Sequence, residues 1–203
     1  MDMSNVIDKI VYKIKEKFKI GLPATHEYKE KMMKEYSNNY GCNILIETGT
    51  YKGDMLAQMY DQFDYLASVE ISEQLYNEAE IRFKDDAKIH LYNGNSSVQL
   101  SQMIEDARKT IKESRFVFWL DGHYSGGITG KAELDTPIVE ELSAIKMQGV
   151  NEGVILIDDA RCFTHEGEFI DYPTIKALKA LVFKKWDNAE IEVKNDIIRI
   201  VLK

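Results

Sequence analysis

From Asn43 onward, short apolar runs alternate with amphipathic stretches, and this rhythm limits the fold more than any other feature of the sequence. The runs ILIE, YLASVE, KIHLYNG, FVFWLD and VILIDD are separated by helical patterns over 54–63, 72–83, 98–111 and 136–147. Alternation of this kind builds repeated β-α units on a parallel sheet. A run such as VILI, with no polar residue between its apolar ones, needs cover on both faces, so helices are expected on both sides. Proline at 137 suits the first turn of the fourth helix. After a helical pattern over 173–185, AEIEVKNDIIRIVLK reads as two strands joined at Lys194, Asn195 and Asp196. A terminal antiparallel hairpin thus closes an otherwise parallel sheet.

Everything before this rhythm is helical in pattern. Val6, Ile7, Ile10, Val11, Ile14 and Phe18 make one apolar face of a helix ending near Gly21-Leu22-Pro23. The chain is therefore divided into a helical cap segment, 1–40, and an α/β unit, 41–203, within a single domain of 203 residues. Lys9, Lys13, Lys15, Lys17 and Lys19 face one acid, Glu16, leaving that stretch four positive charges in a protein of net charge −8. It reads as a solvated helix face or as a dock for an anionic partner or surface. The overall negative charge repels a phosphate backbone, so no nucleic acid partner is expected. Cys42 and Cys162 have no metal-pair spacing and read as reduced thiols. With no apolar run of the ~18 to 20 residues that spans a bilayer, the expectation is a cytoplasmic protein, with a homodimer as an admissible assembly.

In open parallel sheets ligands bind beyond the carboxyl ends of the strands, so the residues there are the first candidates for chemistry. The first strand runs into Glu47-Thr48-Gly49-Thr50-Tyr51-Lys52-Gly53, where glycines let the backbone turn tightly against a ligand and the next helix offers free amides. Its spacing is not the dinucleotide Gly-x-Gly-x-x-Gly, which argues against a nicotinamide-dependent oxidoreductase. The second strand ends in Glu70, about twenty residues after the turn, where a carboxylate can accept both hydroxyl protons of a ribose. The third ends in Gly94-Asn95-Ser96-Ser97, whose short side chains serve either an adenine edge or a helix cap.

The fourth and fifth strands end in Asp121-Gly122-His123-Tyr124 and Asp158-Asp159-Ala160-Arg161. Neighbouring strands lie about 4.8 Å apart, so Asp121 and at least one of the paired acids can converge on a hard divalent cation. Successive strand residues point to opposite faces, so Asp158 and Asp159 reach one site only if the strand ends between them. His123 stands in a glycine-bearing loop and suits a general base near neutral pH; His26, His90 and His165 lack that setting.

The Glu47-x-Gly49-x-x-x-Gly53 turn, the Glu70 strand end and the terminal hairpin resemble the class I S-adenosylmethionine-dependent methyltransferases, over roughly 41–203. WLDGHYSGG, DTPIVEEL and LIDDAR look like a bacterial group within it, distantly similar to the metal-dependent macrocin and aminocoumarin sugar O-methyltransferases. The resemblance implies a Rossmann-like seven-stranded sheet of order 3-2-1-4-5-7-6 with the last strand antiparallel. It implies cofactor contacts from Glu47, Thr48, Gly49, Thr50, Gly53, Glu70, Asn95, Ser96 and Asp121, with Asp the usual residue where Asn95 stands. It also implies Mg²⁺ held by Asp121, Asp158 and Asp159. In the sugar enzymes an acid serves as base where this chain has His123.

The function expected is methyl transfer from S-adenosylmethionine to a hydroxyl of a small molecule or sugar, with Asp121 and His123 catalytic and Tyr124 and Arg161 against the acceptor. The alternatives are metal-independent transfer, and a binding protein that keeps the cofactor pocket and docks a partner through its basic N-terminal helix.

Overall fold

The computed structural model describes residues 22–122 and 136–203. The lysine-bearing stretch 9–19 and the loop with His123 and Tyr124 lie outside these residues. The first described helix, α1 (His26–Tyr40), starts where the Thr25 hydroxyl accepts the Tyr28 N–H and stops at Gly41, whose φ of 61° only glycine adopts without strain.

The α/β unit then follows the predicted rhythm: β1 (Ile44–Thr48), α2 (Asp54–Met59), β2 (Tyr65–Glu70), α3 (Glu73–Phe83), β3 (Ile89–Asn93), α4 (Ser96–Thr110), β4 (Phe116–Leu120), α5 (Ile138–Met147), β5 (Gly153–Ile157), α6 (Ile175–Lys185), β6 (Glu190–Lys194) and β7 (Ile197–Leu202). The one shortened helix is α2, expected over 54–63. Its last turn tightens into a 3₁₀ turn at Tyr60–Gln62, while Leu56, Met59 and Phe63 keep to the buried face. The strand order is β3-β2-β1-β4-β5-β7-β6, with β7 antiparallel to both neighbours and the other adjacent pairs parallel. Asn195 and Asp196 form the tight β6–β7 turn with φ of 50° and 64°, the pair of positive angles that matches strand twist.

Alternation along the strands sorts the core into two layers. Ile44, Ile46, Phe116, Phe118, Ile155 and Ile157 pack against α4, α5 and α6. Leu45, Leu66, Val117, Trp119, Val154 and Leu156 pack with Met32 and Met33 of α1, Leu56 and Met59 of α2, and Ala79 and Phe83 of α3. The second parity carries Glu47 and Glu70 within their strands, and Asp121 and Asp158 one residue past theirs, to the face that α1, α2 and α3 cover.

Candidate functional site

At the β1 and β2 ends the polar groups satisfy one another. Gly49 turns with φ of 85°, and a Cβ there would stand 2.5 Å from the Asp121 carbonyl oxygen, so any side chain would collide with backbone. Gly53, with φ of 74°, lies against the Phe83 ring in the same way. Gly49 N–H donates to Val69 O and Asp121 N–H to Thr48 O, so the ladder continues one step beyond the strands. Glu70 accepts Tyr51 N–H at 2.8 Å on one oxygen and Ser72 N–H at 2.9 Å on the other. It thereby ties the glycine turn to the start of α3. Each carboxylate oxygen has a second lone-pair direction, so a further donor can be accepted.

Glu47 is 3% exposed and takes a 2.7 Å hydrogen bond from Ser68, whose oxygen is 2.7 Å from Thr50 Oγ1. Burial pushes its carboxyl up to about 8, the nearby Asp121 and Glu70 charges add to this, and the Ser68 bond opposes it. Thr48 Oγ1 is buried with no hydrogen-bond partner among the described residues, beside Gly122, whose Cβ would approach it to 3.0 Å. Asn95 caps α4, its side-chain oxygen accepting from Ser97 N–H at 3.0 Å and Ser97 Oγ at 2.8 Å, and Ser96 is buried behind it.

At the β4 and β5 ends the structure brings Asp121, Asp158 and Asp159 together: one carboxylate oxygen of each lies within 4.8 Å of the others. The alternation problem is solved by the backbone. β5 stops at Ile157, Asp158 N–H still bonds Leu120 O, and Asp159 takes φ of 54°, which swings its side chain back toward its neighbours. Asp158 stabilises that turn by accepting Asp159 N–H at 2.8 Å.

Two cations of the chain already meet these acids. Lys29 Nζ, from α1, bonds Asp158 and lies 5.8 Å from the centre of the Trp119 ring. Burial pulls its ammonium down, but Asp158, Asp121 and Asp159 outweigh that and hold it above the ordinary lysine value. Arg161 bonds Asp159 and also Asp196 of the β6–β7 turn, whose Oδ1 accepts the Arg161 N–H at 2.8 Å. Among the described residues, these two cations face Asp121, Asp158, Asp159 and Asp196. Three converging carboxylates are the donor set of a hard divalent ion, so the residues fit Mg²⁺ by chemistry, on condition that Lys29 yields its place on Asp158.

Glu47, Thr48, Gly49, Thr50, Gly53, Glu70 and Asp121 thus gather at the adjoining ends of β1, β2 and β4, with Asn95 and Ser96 beyond β3. Arg161 is turned onto acids. His165 bonds the Tyr172 carbonyl at 3.1 Å and His90 stacks on Tyr65, 4.1 Å between ring centres. Lys29 and Ser68 escaped the sequence reading. Ser68 is the one serine in YLASVE, and Lys29 stands three and four residues before the buried Met32 and Met33, on the apolar face of its helix.

The sheet order and its terminal hairpin define the class I methyltransferase fold. Among solved structures, the chain is similar to the O-methyltransferase TomG of Streptomyces achromogenes, involved in tomaymycin synthesis and solved with SAM, at TM-score 0.60 and 10% identity over 93% of this chain and 85% of that one. The SAH-bound methyltransferase PaMTH1 of Podospora anserina gives 0.59 and 14% over 88% and 80%. The SAH complex of an O-methyltransferase from Bacillus cereus gives 0.59 and 12% over 96% and 90%. No protein-family model and no curated protein matches the sequence. Among the described residues no helix is long and apolar enough to cross a membrane.

Proposed function

We propose that this protein is an S-adenosylmethionine-dependent methyltransferase acting on a hydroxyl of a small molecule or sugar. The observation that carries the reading is the glycine turn of β1, held against β4 with no room for a side chain and tied by Glu70 to α3. Similar structures hold SAM or SAH on this fold. The Gly49 cradle and the second lone-pair directions of Glu70 suit a nucleoside with ribose hydroxyls.

S-adenosylmethionine supplies an electrophilic methyl group on a sulfonium. The chain's own part is to bind, orient and deprotonate. Glu47 to Gly53, Glu70, Asn95 and Ser96 would hold the cofactor, with Glu47 kept neutral at pH 7 by its burial. The acceptor hydroxyl must lose a proton, and His123, next to Gly122, is our choice of base. Asp121, Asp158 and Asp159 would hold Mg²⁺, whose charge acidifies a bound hydroxyl. Arg161 and Tyr124 would border the acceptor, with 1–40 capping the site.

The test is calorimetric titration of the purified protein with S-adenosylmethionine. Binding is expected, and its loss in Glu70→Ala; no heat with the intact protein would end the proposal. Full methyl transfer in excess chelator would favour the metal-independent version.

A further inference from the structure

We propose that Lys29 is a resident cation of the acidic trio, held on Asp158, and that its ammonium and a divalent metal ion occupy that place in alternation. This rests on the metal-assisted reading above and adds a competitor that the chain itself supplies.

Lys29 is an unusual lysine for a helix over a sheet. Its side chain is 15% exposed and its partner Asp158 only 1%. It shares the buried face with Met32 and Met33 and reaches the carboxylates across the Trp119 ring. A lysine so enclosed is retained where a cation is needed, because removing water from an ammonium costs more than its flexible stem gains by packing. The helix itself does not depend on the contact. Arg199 of β7 donates to the Tyr28 hydroxyl at 2.7 Å, Tyr36 donates to Glu192 at 2.9 Å, and the two methionines are buried in the core. With α1 anchored at those points, the Lys29 side chain can swing off Asp158 while its backbone stays.

An ammonium and a divalent ion repel each other on one carboxylate oxygen, so the two do not share it. Asp158 Oδ1 already accepts the Asp159 N–H, which fixes the turn, and Oδ2 is the oxygen that Lys29 takes. A divalent ion must take that oxygen from Lys29. The consequence is a site in which Lys29 already neutralises one carboxylate without metal, and whose metal affinity is set lower than three carboxylates alone would give.

The test is Mn²⁺ titration, read by calorimetry, of the full chain and its Lys29→Met and Lys29→Gln variants, with thermal melts confirming that each is folded. Lys34→Met, on α1 with its ammonium on Glu30, controls for charge removed from the helix. Loss of one charge-assisted hydrogen bond that competes with metal should tighten Mn²⁺ binding at least about tenfold in both Lys29 variants. Lys34→Met should stay within about twofold. Binding by the Lys29 variants alone also supports the inference, and would show that metal is not resident in the native chain. Equal or weaker binding in the Lys29 variants, or equal tightening in Lys34→Met, would overturn it while leaving metal assistance standing. No binding in any variant would remove both.

Discussion

The two halves of the strand-end face manage buried acid in opposite ways. Around β1 and β2, Glu47 and Glu70 are satisfied by neutral partners close in the fold: the Ser68 hydroxyl and the amides of Tyr51 and Ser72. Around β4 and β5, Asp158, Asp159 and Asp196 are satisfied by full charges, Lys29 from α1 and Arg161. A carboxyl kept neutral or bonded to fixed amides holds its shape with nothing bound. Acids balanced by side-chain cations form a set in which one cation can be exchanged for another. The first arrangement suits holding a cofactor, the second suits admitting an ion or a polar acceptor.

The largest way to break the contrast is to alter Glu47. Its carboxyl lies at about 8 in the folded state against an ordinary 4.5, so its proton stabilises the fold fully below about 4.5 and that contribution is lost as pH rises through about 8. The slope in between reaches about 1.4 kcal/mol per pH unit. Glu47→Gln copies the neutral form and can still accept from Ser68. Denaturant melts from pH 4.5 to 8.5 should show stability falling with pH in the native protein and a flatter profile in the variant; parallel profiles would refute a neutral Glu47. Next comes Gly49→Ala, which combines a φ of 85° with a Cβ 2.5 Å from the Asp121 carbonyl oxygen. A loss of roughly 2–4 kcal/mol is expected, with cofactor binding lost more steeply than stability, since the turn must shift to relieve the clash. On the other side, Asp196→Asn keeps the turn and an acceptor but removes a charge from Arg161. Its cost should be only about 1–2 kcal/mol, because Arg161 is 32% exposed and retains Asp159. Cofactor affinity should stay unchanged; a fall would show that the halves are coupled.

The same contrast explains what could be read from sequence. The sheet was legible because period-two and period-3.6 patterns are local, and the ILIETGTYKG turn because its two glycines stand only four residues apart in the chain. Asp121, Asp158 and Asp159 were legible as a group because strand ends in a parallel sheet must lie side by side. What made them converge was the left-handed turn at Asp159, a position where no glycine announced it. Lys29 was not connected to them, because 129 residues separate it from Asp158 and nothing near either residue encodes the docking of α1. Arg161 was read toward the acceptor with no partner in the chain assigned to it, because Asp196 read only as a turn residue. The hairpin turn that Asp196 closes also brings its carboxylate to Arg161.

The smallest effect separates the two services open to Asn95. Its oxygen caps α4 through Ser97, so Asn95→Ala should cost about 1 kcal/mol in stability. Aspartate caps as well as asparagine, so Asn95→Asp should melt within about 0.5 kcal/mol of the native protein. It also exchanges the amide donor for a second acceptor. If the nucleoside is held on that amide, S-adenosylmethionine affinity should fall by about five- to tenfold in Asn95→Asp, the worth of one hydrogen bond of about 1 kcal/mol. Unchanged affinity with restored stability would assign Asn95 to the helix alone and leave adenine recognition to its neighbours. Because the variant holds the cap constant, the affinity measurement reports the cofactor half without disturbing the fold on which both halves rest.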